Sequence, residues 1–378
     1  MIHSISIKNY KIHKHLHLDV GNLTVLTGVN SSGKSSVIQS LLLLRQSYMQ
    51  NALKEGVVLN GELMSVGLGS DALCSIAEED NIAVTLRDEQ EECRWTWDAS
   101  DAYLGKDFLP VVEKPVDDAL WKDMSLFTNN FQYISAARKE PSDYYPLNTN
   151  LVESKKQLSQ YYGKCELVAH FLHHYGVMNK LTVLPELIHQ EGEPADLLSQ
   201  VSSWERVVSP DVKVLPEKGD KSYIVKYAYQ TEDDTTPAYS PINVGFGLSY
   251  ALPVVVALLA AEKGSIILIE NPEAHLHESA QSELGILIAR AAQAGIQVVV
   301  ETHSNHILNG ILIATKRYEN GEPGVDRNLV KMYYMKRHTD GMYSDCEEVK
   351  IIGDGKIDHQ PDGFFSRADS DMSYLLGF

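Results

Sequence analysis

Cysteine is scarce in this sequence of 378 residues. The four thiols, Cys74, Cys93, Cys165 and Cys346, are not spaced as a zinc or redox pair, and scattered thiols of this kind suit a reducing compartment. Long apolar runs are lacking too. The longest, near Ala251–Ala261, is too short to span a bilayer, and Met1-Ile-His-Ser-Ile-Ser-Ile lacks a basic segment ahead of an apolar core. The expectation is a soluble cytoplasmic protein with no membrane partner. Positive charge is the third shortage: 33 Lys and Arg stand against 51 Asp and Glu, a net charge of −18. Such a chain repels nucleic acid and anionic membrane on average. No basic run is longer than a dipeptide such as Lys155-Lys156 or Lys336-Arg337, so DNA binding would need a specific local groove. Internal repeats and low-complexity tracts are absent.

What is present is ordinary globular material, 44% hydrophobic and 22% charged, enough for a sizeable core. The length allows one large α/β domain with an embedded lobe, or two domains. Alternation predicts paired strands over the first 20 residues and a hairpin from Ile82–Leu86 and Cys93–Trp97. Residues 51–80 read as loop-rich, 100–128 as irregular, and Phe131–Ser135 as a strand. From Leu151 to about Val208 the pattern is helical, with breaks at Gly163, Gly176 and Pro194. Strands are expected again at Val212–Leu215 and Tyr223–Tyr229. Residues 242–310 are the most regular, with short apolar strands at Ile266–Ile269 and Val298–Val300 alternating with helices, which implies a mainly parallel sheet. Two more strands are expected at Leu329–Met335 and Cys346–Ile352.

The strongest motif follows the apolar strand Leu23–Thr27. Residues 28–35 read Gly-Val-Asn-Ser-Ser-Gly-Lys-Ser, the phosphate-loop pattern, and a helix over Ser36–Tyr48 with Val37, Leu41, Leu44 and Tyr48 on one face follows. Glycines let the backbone curl so that successive N–H groups point at phosphates, and the helix start adds its positive end. The expected nucleotide contacts are Gly28, Asn30, Ser31, Ser32, Gly33, Lys34, Ser35 and Ser36. Lys34 reaches the β- and γ-phosphates, and the Ser35 hydroxyl ligates Mg²⁺.

A second site is expected where the hydrophobic strand Ser265-Ile-Ile-Leu-Ile ends in Glu270, in the manner of a Walker B element that delivers a carboxylate to Mg²⁺. Asn271-Pro-Glu-Ala-His-Leu-His277 follows it. The next strand ends in Glu301-Thr-His-Ser304, and a histidine at such a strand end can hydrogen-bond a γ-phosphate and sense its loss.

Together these segments resemble the ATP-binding-cassette type ATPases of the SMC/RecF/OLD class. The resemblance rests on Ile7-Lys-Asn-Tyr-Lys11, on Leu26-Thr-Gly-Val-Asn-Ser-Ser-Gly-Lys-Ser-Ser36, on the signature-like block Asn243-Val-Gly-Phe-Gly-Leu-Ser-Tyr-Ala-Leu-Pro253, and on the two acid-containing segments. More narrowly the order is similar to a bacterial family of short ATPases with a small C-terminal domain of unknown function, whose ending resembles Asp362-Gly-Phe-Phe365. The resemblance implies a P-loop NTPase of α/β class: an SMC-head-like, mainly parallel core sheet, an antiparallel lobe from the N-terminal strands and residues 82–135, and a helical insertion. It implies an N-terminal ATPase lobe over 1–150, the helical insertion over 151–210, a C-terminal ATPase lobe over 211–315 and a small domain over 316–378. It also implies ATP and Mg²⁺ as ligands, and a homodimer or higher homo-oligomer closed head to tail in which Gly245, Gly247 and Ser249 of one subunit touch the γ-phosphate held by the other.

One departure matters. The class usually places an acid directly after the Walker B acid as general base, and here that position is Asn271. An amide can orient water but cannot take its proton. Either Glu273 supplies the base, or hydrolysis is slow and ATP acts largely as a clamp; the second is the favoured expectation. The candidate catalytic set is thus Lys34, Glu270, Asn271, Glu273 and His303. No heptad stretch between Lys34 and Glu270 is long enough for SMC arms. The tail holds no acid cluster fit for a nuclease, since Asp369 and Asp371 read as a short acidic end. The partner expected from the resemblance is therefore a separate effector, a nuclease or toxin in a bacterial anti-phage system. The alternative is a DNA-repair ATPase of the RecF type that clamps DNA directly. A transporter ATPase fits less well, because a regular signature is missing.

Three lesser patterns stay open. His13, His15 and His17 fall on one side of a strand and could hold metal or simply face solvent. Glu166, His170 and His174 have helical i, i+4 spacing. Arg138 could reach phosphate, a partner, or a structural ion pair. The glutamine that usually links the γ-phosphate to the second lobe is sought first in the glycine-rich stretch 56–70.

Overall fold

The computed structural model describes residues 1–89, 91–190, 192–232, 234–338, 343–361 and 364. Strands β1 (Ser4–Tyr10), β2 (His13–Asp19) and β3 (Leu23–Gly28) lead through the glycine loop into α1 (Lys34–Met49). Then come β4 (Gly56–Val58), α2 (Gly69–Ala72), β5 (Asn81–Arg87), β6 (Glu92–Asp98) and β7 (Phe108–Glu113). β8 (Phe131–Ile134) and β9 (Tyr145–Pro146) precede two short helices, α3 (Val168–Phe171) and α4 (Leu197–Glu205). β10 (Val212–Lys218) and β11 (Ser222–Tyr229) form a hairpin ahead of α5 (Phe246–Leu259). The regular stretch then runs β12 (Ile266–Glu270), α6 (Glu278–Gln293), β13 (Gln297–Glu301) and α7 (Asn305–Glu319). β14 (Val330–Arg337), β15 (Ser344–Glu348) and a small hairpin at Ile351–Gly353 and Lys356–Ile357 close the described chain.

The chain packs as two units, Met1–Thr128 with Arg327–Phe378, and Asn129–Asp326. In the first, an antiparallel sheet runs in the order β2-β1-β5-β6-β7-β4. Its register sets Ile5 opposite Leu18 and Ile7 opposite Leu16, all buried, which is the expected outcome of the period-2 pattern. An edge-to-face cluster of Tyr48, Trp95, Trp121 and Phe127 fills part of its core, with Trp121 and Phe127 centroids 4.8 Å apart. In the same unit β14 lies parallel to β3, pairing Val330 with Leu23 through Met335 with Gly28, and β15 pairs antiparallel with β14.

In the second unit β12 is flanked in parallel by β13 and β8. Ile266–Ile269 and Val298–Val300 are all buried, as parallel strands covered on both faces require. β8 is thus a strand of the parallel set, pairing Phe131–Ile134 with Ile266–Ile269, and the antiparallel lobe expected over 82–135 ends before it. The segment 150–205 is helical only in short pieces: π turns at Asn150–Ser154 and Leu172–Met178, α3, a 3-10 turn at Pro185–Leu187, and α4. β7 is a strand inside the stretch that reads as irregular, because Pro110 and a shifted register against β6 hide its alternation. α1 is buried at Val37, Ile38 and Leu41–Leu44, so it is covered on more than the single face that its sequence suggests.

Candidate functional site

The phosphate loop belongs to the first unit. β3 delivers the chain to Gly28 at φ +137°, Ser31 follows at +61°, and Gly33 sits at +94° directly before α1. These left-handed residues turn the loop around the helix start, and glycine carries that conformation at little cost. A Cβ on Gly33 would lie 2.5 Å from the His13 ring, and one on Gly28 would lie 2.3 Å from the Met335 carbonyl. His13 hydrogen-bonds the Gly33 carbonyl at 2.9 Å, and the Ser344 hydroxyl donates to the Ser32 carbonyl. The loop is therefore braced by β2 and β15. α1 has no side-chain cap and no acid in its first turn, so the positive end of its dipole faces the loop without a competing carboxylate. Lys34 folds over the loop, donating to the Gly28 and Val29 carbonyls at 3.0 and 2.8 Å, and is 3% exposed. Val29, Asn30 and Ser31 are exposed, Gly33 and Ser35 half-buried, and Ser32 and Ser36 buried. These residues fit a chain of phosphates: a glycine-turned loop, hydroxyls, a lysine, and no acid in the first turn of α1.

The Walker B corner belongs to the second unit. Glu270 ends β12, and one of its carboxylate oxygens accepts the Ala136 N–H at 3.3 Å. Burial pushes this carboxyl above the usual glutamate range, against the Ala136 N–H, the Tyr133 hydroxyl and the Arg138 charge, which pull it down. Asn271 turns the chain at φ +43°; its N–H donates to the Glu301 carbonyl at 2.9 Å, its own carbonyl accepts from Arg138, and its side-chain oxygen is buried with no hydrogen-bond partner. Glu273 spends both oxygens on the next loop, accepting the Thr302 hydroxyl and the His303 N–H, each at 2.8 Å. Ser304 caps α7 through the His306 and Ile307 N–H groups. The backbone of His303 is thus fixed from both sides while its side chain is exposed.

The signature-like block forms the start of α5. Gly245 is the helix cap, exposed, with nothing within 4 Å of where a Cβ would stand. Gly247 packs closely under the His275 carbonyl. Ser249 is one turn further in and 4% exposed, so its hydroxyl faces the interior of this unit and not solvent. Phe246, Tyr250 and His275 make an aromatic cluster at the same helix start, Tyr250 and His275 being 4.3 Å apart.

The lesser patterns resolve physically. His13 is buried on the phosphate loop while His15 and His17 are exposed. Glu166 precedes α3 and is taken by Gln160 N, Tyr161 N and Ser159, whereas His170 is buried, stacked on Tyr223 at 4.4 Å. The expected helical face of Glu166, His170 and His174 does not form, because the helix begins only at Val168. Among the described residues no cluster of His, Cys, Asp or Glu could hold a metal by itself. Arg138 is the residue that sequence reasoning left open: it joins the Walker B corner. Within the second unit the segment touching Glu270 is Tyr133–Ala136, and its only sequence signal is a strand end followed by Arg138. The tail segment resembling Asp362–Phe365 lies almost wholly outside the described residues, as do Asp369 and Asp371. Among the described residues no helix is long and apolar enough to cross a membrane.

Fold and motifs together define the class: a P-loop NTPase with an SMC-head-like fold, matched over two successive stretches by AAA ATPase family models. Residues 1–161 match the family model described as "AAA ATPase domain", and residues 170–309 match the one described as "AAA domain, putative AbiEii toxin, Type IV TA system". Among solved structures the fold is similar to an SMC head bound to the C-winged helix domain of ScpA, at 12% identity and TM-score 0.51, covering 93% of this chain and 98% of that one. It is similar at the same identity and score to an SMC head domain with an extended coiled coil bound to the C-terminal domain of ScpA from Pyrococcus furiosus, covering 100% of this chain and 98% of that one. A comparison with curated proteins finds no match.

Proposed function

We propose that this chain is an ATP-operated switch that holds ATP longer than it splits it. Gly28–Ser36 take the phosphates with Ser35 as a ligand for Mg²⁺, which when bound would draw charge off the phosphates, and Glu270 is the carboxylate of the second unit suited to the same ion. His303 reads the γ-phosphate. The observation that carries the slow-hydrolysis reading is the state of the corner after Glu270. Asn271 cannot accept a proton from water, and Glu273 has both oxygens committed to Thr302 and His303. Asn271 offers no base at all, and the two hydrogen bonds that Glu273 accepts lower its basicity and fix its aim on the 302–303 loop.

Two copies close head to tail on ATP, with the open cap of α5 at Gly245 and Gly247 meeting the partner's γ-phosphate through uncapped N–H groups. Ser249, being buried, acts in that contact only by holding the helix start. The closed dimer then controls a separate effector, a nuclease or toxin of an anti-phage system, for which the description of the model matched by 170–309 gives support.

Single substitutions test the chemistry. Lys34→Ala is expected to weaken binding of a fluorescent ATP analogue at least about tenfold. Glu273→Gln keeps one acceptor for the His303 N–H and should leave the slow turnover within about threefold, whereas Glu273→Ala should lower it further by freeing the His303 loop. Fast turnover by the purified protein, abolished by Glu273→Gln but not by Asn271→Ala, would make Glu273 the base and overturn the reading.

A further inference from the structure

A cleft of about 690 Å³ opens in the second unit between the segment after β8, the 161–166 loop and Tyr250 on α5. No residue of the phosphate loop, nor Glu270, Asn271, Glu273 or His303, lines it. Its charges are Arg138, Lys139 and Lys164 against Glu140 and Glu166. Glu166 is spent on three donors of its own loop, at 3.0, 3.1 and 3.0 Å, which leaves three cations and one remaining acid. A positive cleft in a chain of net charge −18 runs against the background.

Arg138 is the built element. It is 3% exposed, gives one N–H to the Asn271 carbonyl, and has no partner at Nε or Nη1. Burial pulls its pKa down, against Cys165, Glu273, Tyr250 and Glu270, which hold it up without hydrogen-bonding its free N–H groups. Leaving a buried charged donor unmet is costly, and the group that best fits a guanidinium is a multidentate oxyanion. The walls add aromatic surface. Tyr161 is 45% exposed, and Tyr250 lies with its ring 5.7 Å from the Arg138 guanidinium. The volume falls within the roughly 300–1,000 Å³ usual for small-molecule sites.

We propose that this cleft binds a phosphate monoester of nucleotide size, its phosphate on Arg138 with Lys139 and Lys164 at the mouth and its base against the tyrosines. The same chemistry is offered by a free mononucleotide and by the 5′-phosphorylated end of a nucleic-acid strand.

The two sources are separated by titrating AMP, a 5′-phosphorylated short oligothymidylate and its 5′-hydroxyl counterpart into the Lys34→Ala chain, in which the phosphate loop is disabled. Saturable binding of AMP supports the free nucleotide; binding of the phosphorylated strand but not the hydroxyl strand supports the strand end. In either case Arg138→Met should weaken binding by about tenfold or more. The surface pair Lys139→Ala with Lys164→Ala, which leaves the buried contacts intact, should weaken it about threefold and flatten its salt dependence. If neither phosphorylated probe saturates the Lys34→Ala chain, or if binding ignores both the Arg138 change and the lysine pair, the proposal is wrong. Binding of the ATP analogue to the wild-type phosphate loop is read separately, so failure here leaves the ATP switch standing and failure there leaves the cleft standing.

Discussion

A carboxylate takes a proton from water less readily the more hydrogen bonds its charged form already accepts. Glu273 accepts one on each oxygen, from Thr302 and His303. Glu270 has one oxygen on the Ala136 N–H, and burial raises its pKa. In the proposed role of Mg²⁺ ligand Glu270 must be ionised, so its raised pKa would move the loss of Mg²⁺-dependent ATP binding on acidification to a higher pH than an ordinary glutamate would give. Titrating ATP-analogue affinity against pH with and without Mg²⁺ should show that acid limb, and Glu270→Gln should abolish it. Glu205 on α4 supplies a stability test. It is fully buried, neither carboxylate oxygen has a hydrogen-bond partner, and burial pushes its pKa well above the usual value. A folded pKa above the unfolded one means that the native state binds the extra proton. Its contribution is therefore fully present below the unfolded pKa, and stability falls by up to about 1.4 kcal/mol per pH unit as pH rises between the two values. Glu205→Met removes that slope, so its thermal midpoint should gain on wild type at pH 8 and much less at pH 4. An equal change at both would show that Glu205 does not titrate in this window.

At the scale of elements, the strong periods and glycine punctuation were legible. The β3–loop–α1 unit, the hairpin of β5 and β6, and the β12–α6–β13–α7 run stand where their patterns put them, because short apolar strands between helices admit few other arrangements. What stayed hidden depended on partners distant in the chain. β8 reads as one more strand of a lobe, yet its pairing with β12 sets the Tyr133–Arg138 segment on the Walker B acid. Glu273 reads as a candidate base, and only the β13–α7 loop shows its two oxygens on Thr302 and His303. His13 reads as one histidine of a row, and only the loop behind β2 explains its burial. The phosphate loop itself can be tested at Gly33, where a Cβ would meet both the left-handed φ and the His13 ring. Gly33→Ala should lower stability by about 1–3 kcal/mol in denaturant unfolding and weaken ATP-analogue binding more than tenfold. Unchanged binding would mean that the loop does not need its observed shape.

At the scale of the molecule, the P-loop ATPase class rests on two motif sets that the sequence separates widely, one in each packed unit. The end of the chain returns to the first unit, where β14 runs beside the phosphate-loop strand, so truncation near residue 330 should damage nucleotide binding and not only a peripheral tail. The −18 charge favours a protein effector over DNA as the partner. The central claim is that ATP clamps two copies together for longer than a fast ATPase would allow. The most direct measurement mixes the protein with labelled ATP and Mg²⁺, removes free nucleotide, and follows complex mass and ATP content together. The account predicts a dimer mass that persists for minutes with most of its nucleotide still ATP. A mass that stays monomeric with ATP bound, or complete conversion to ADP within seconds, would contradict it.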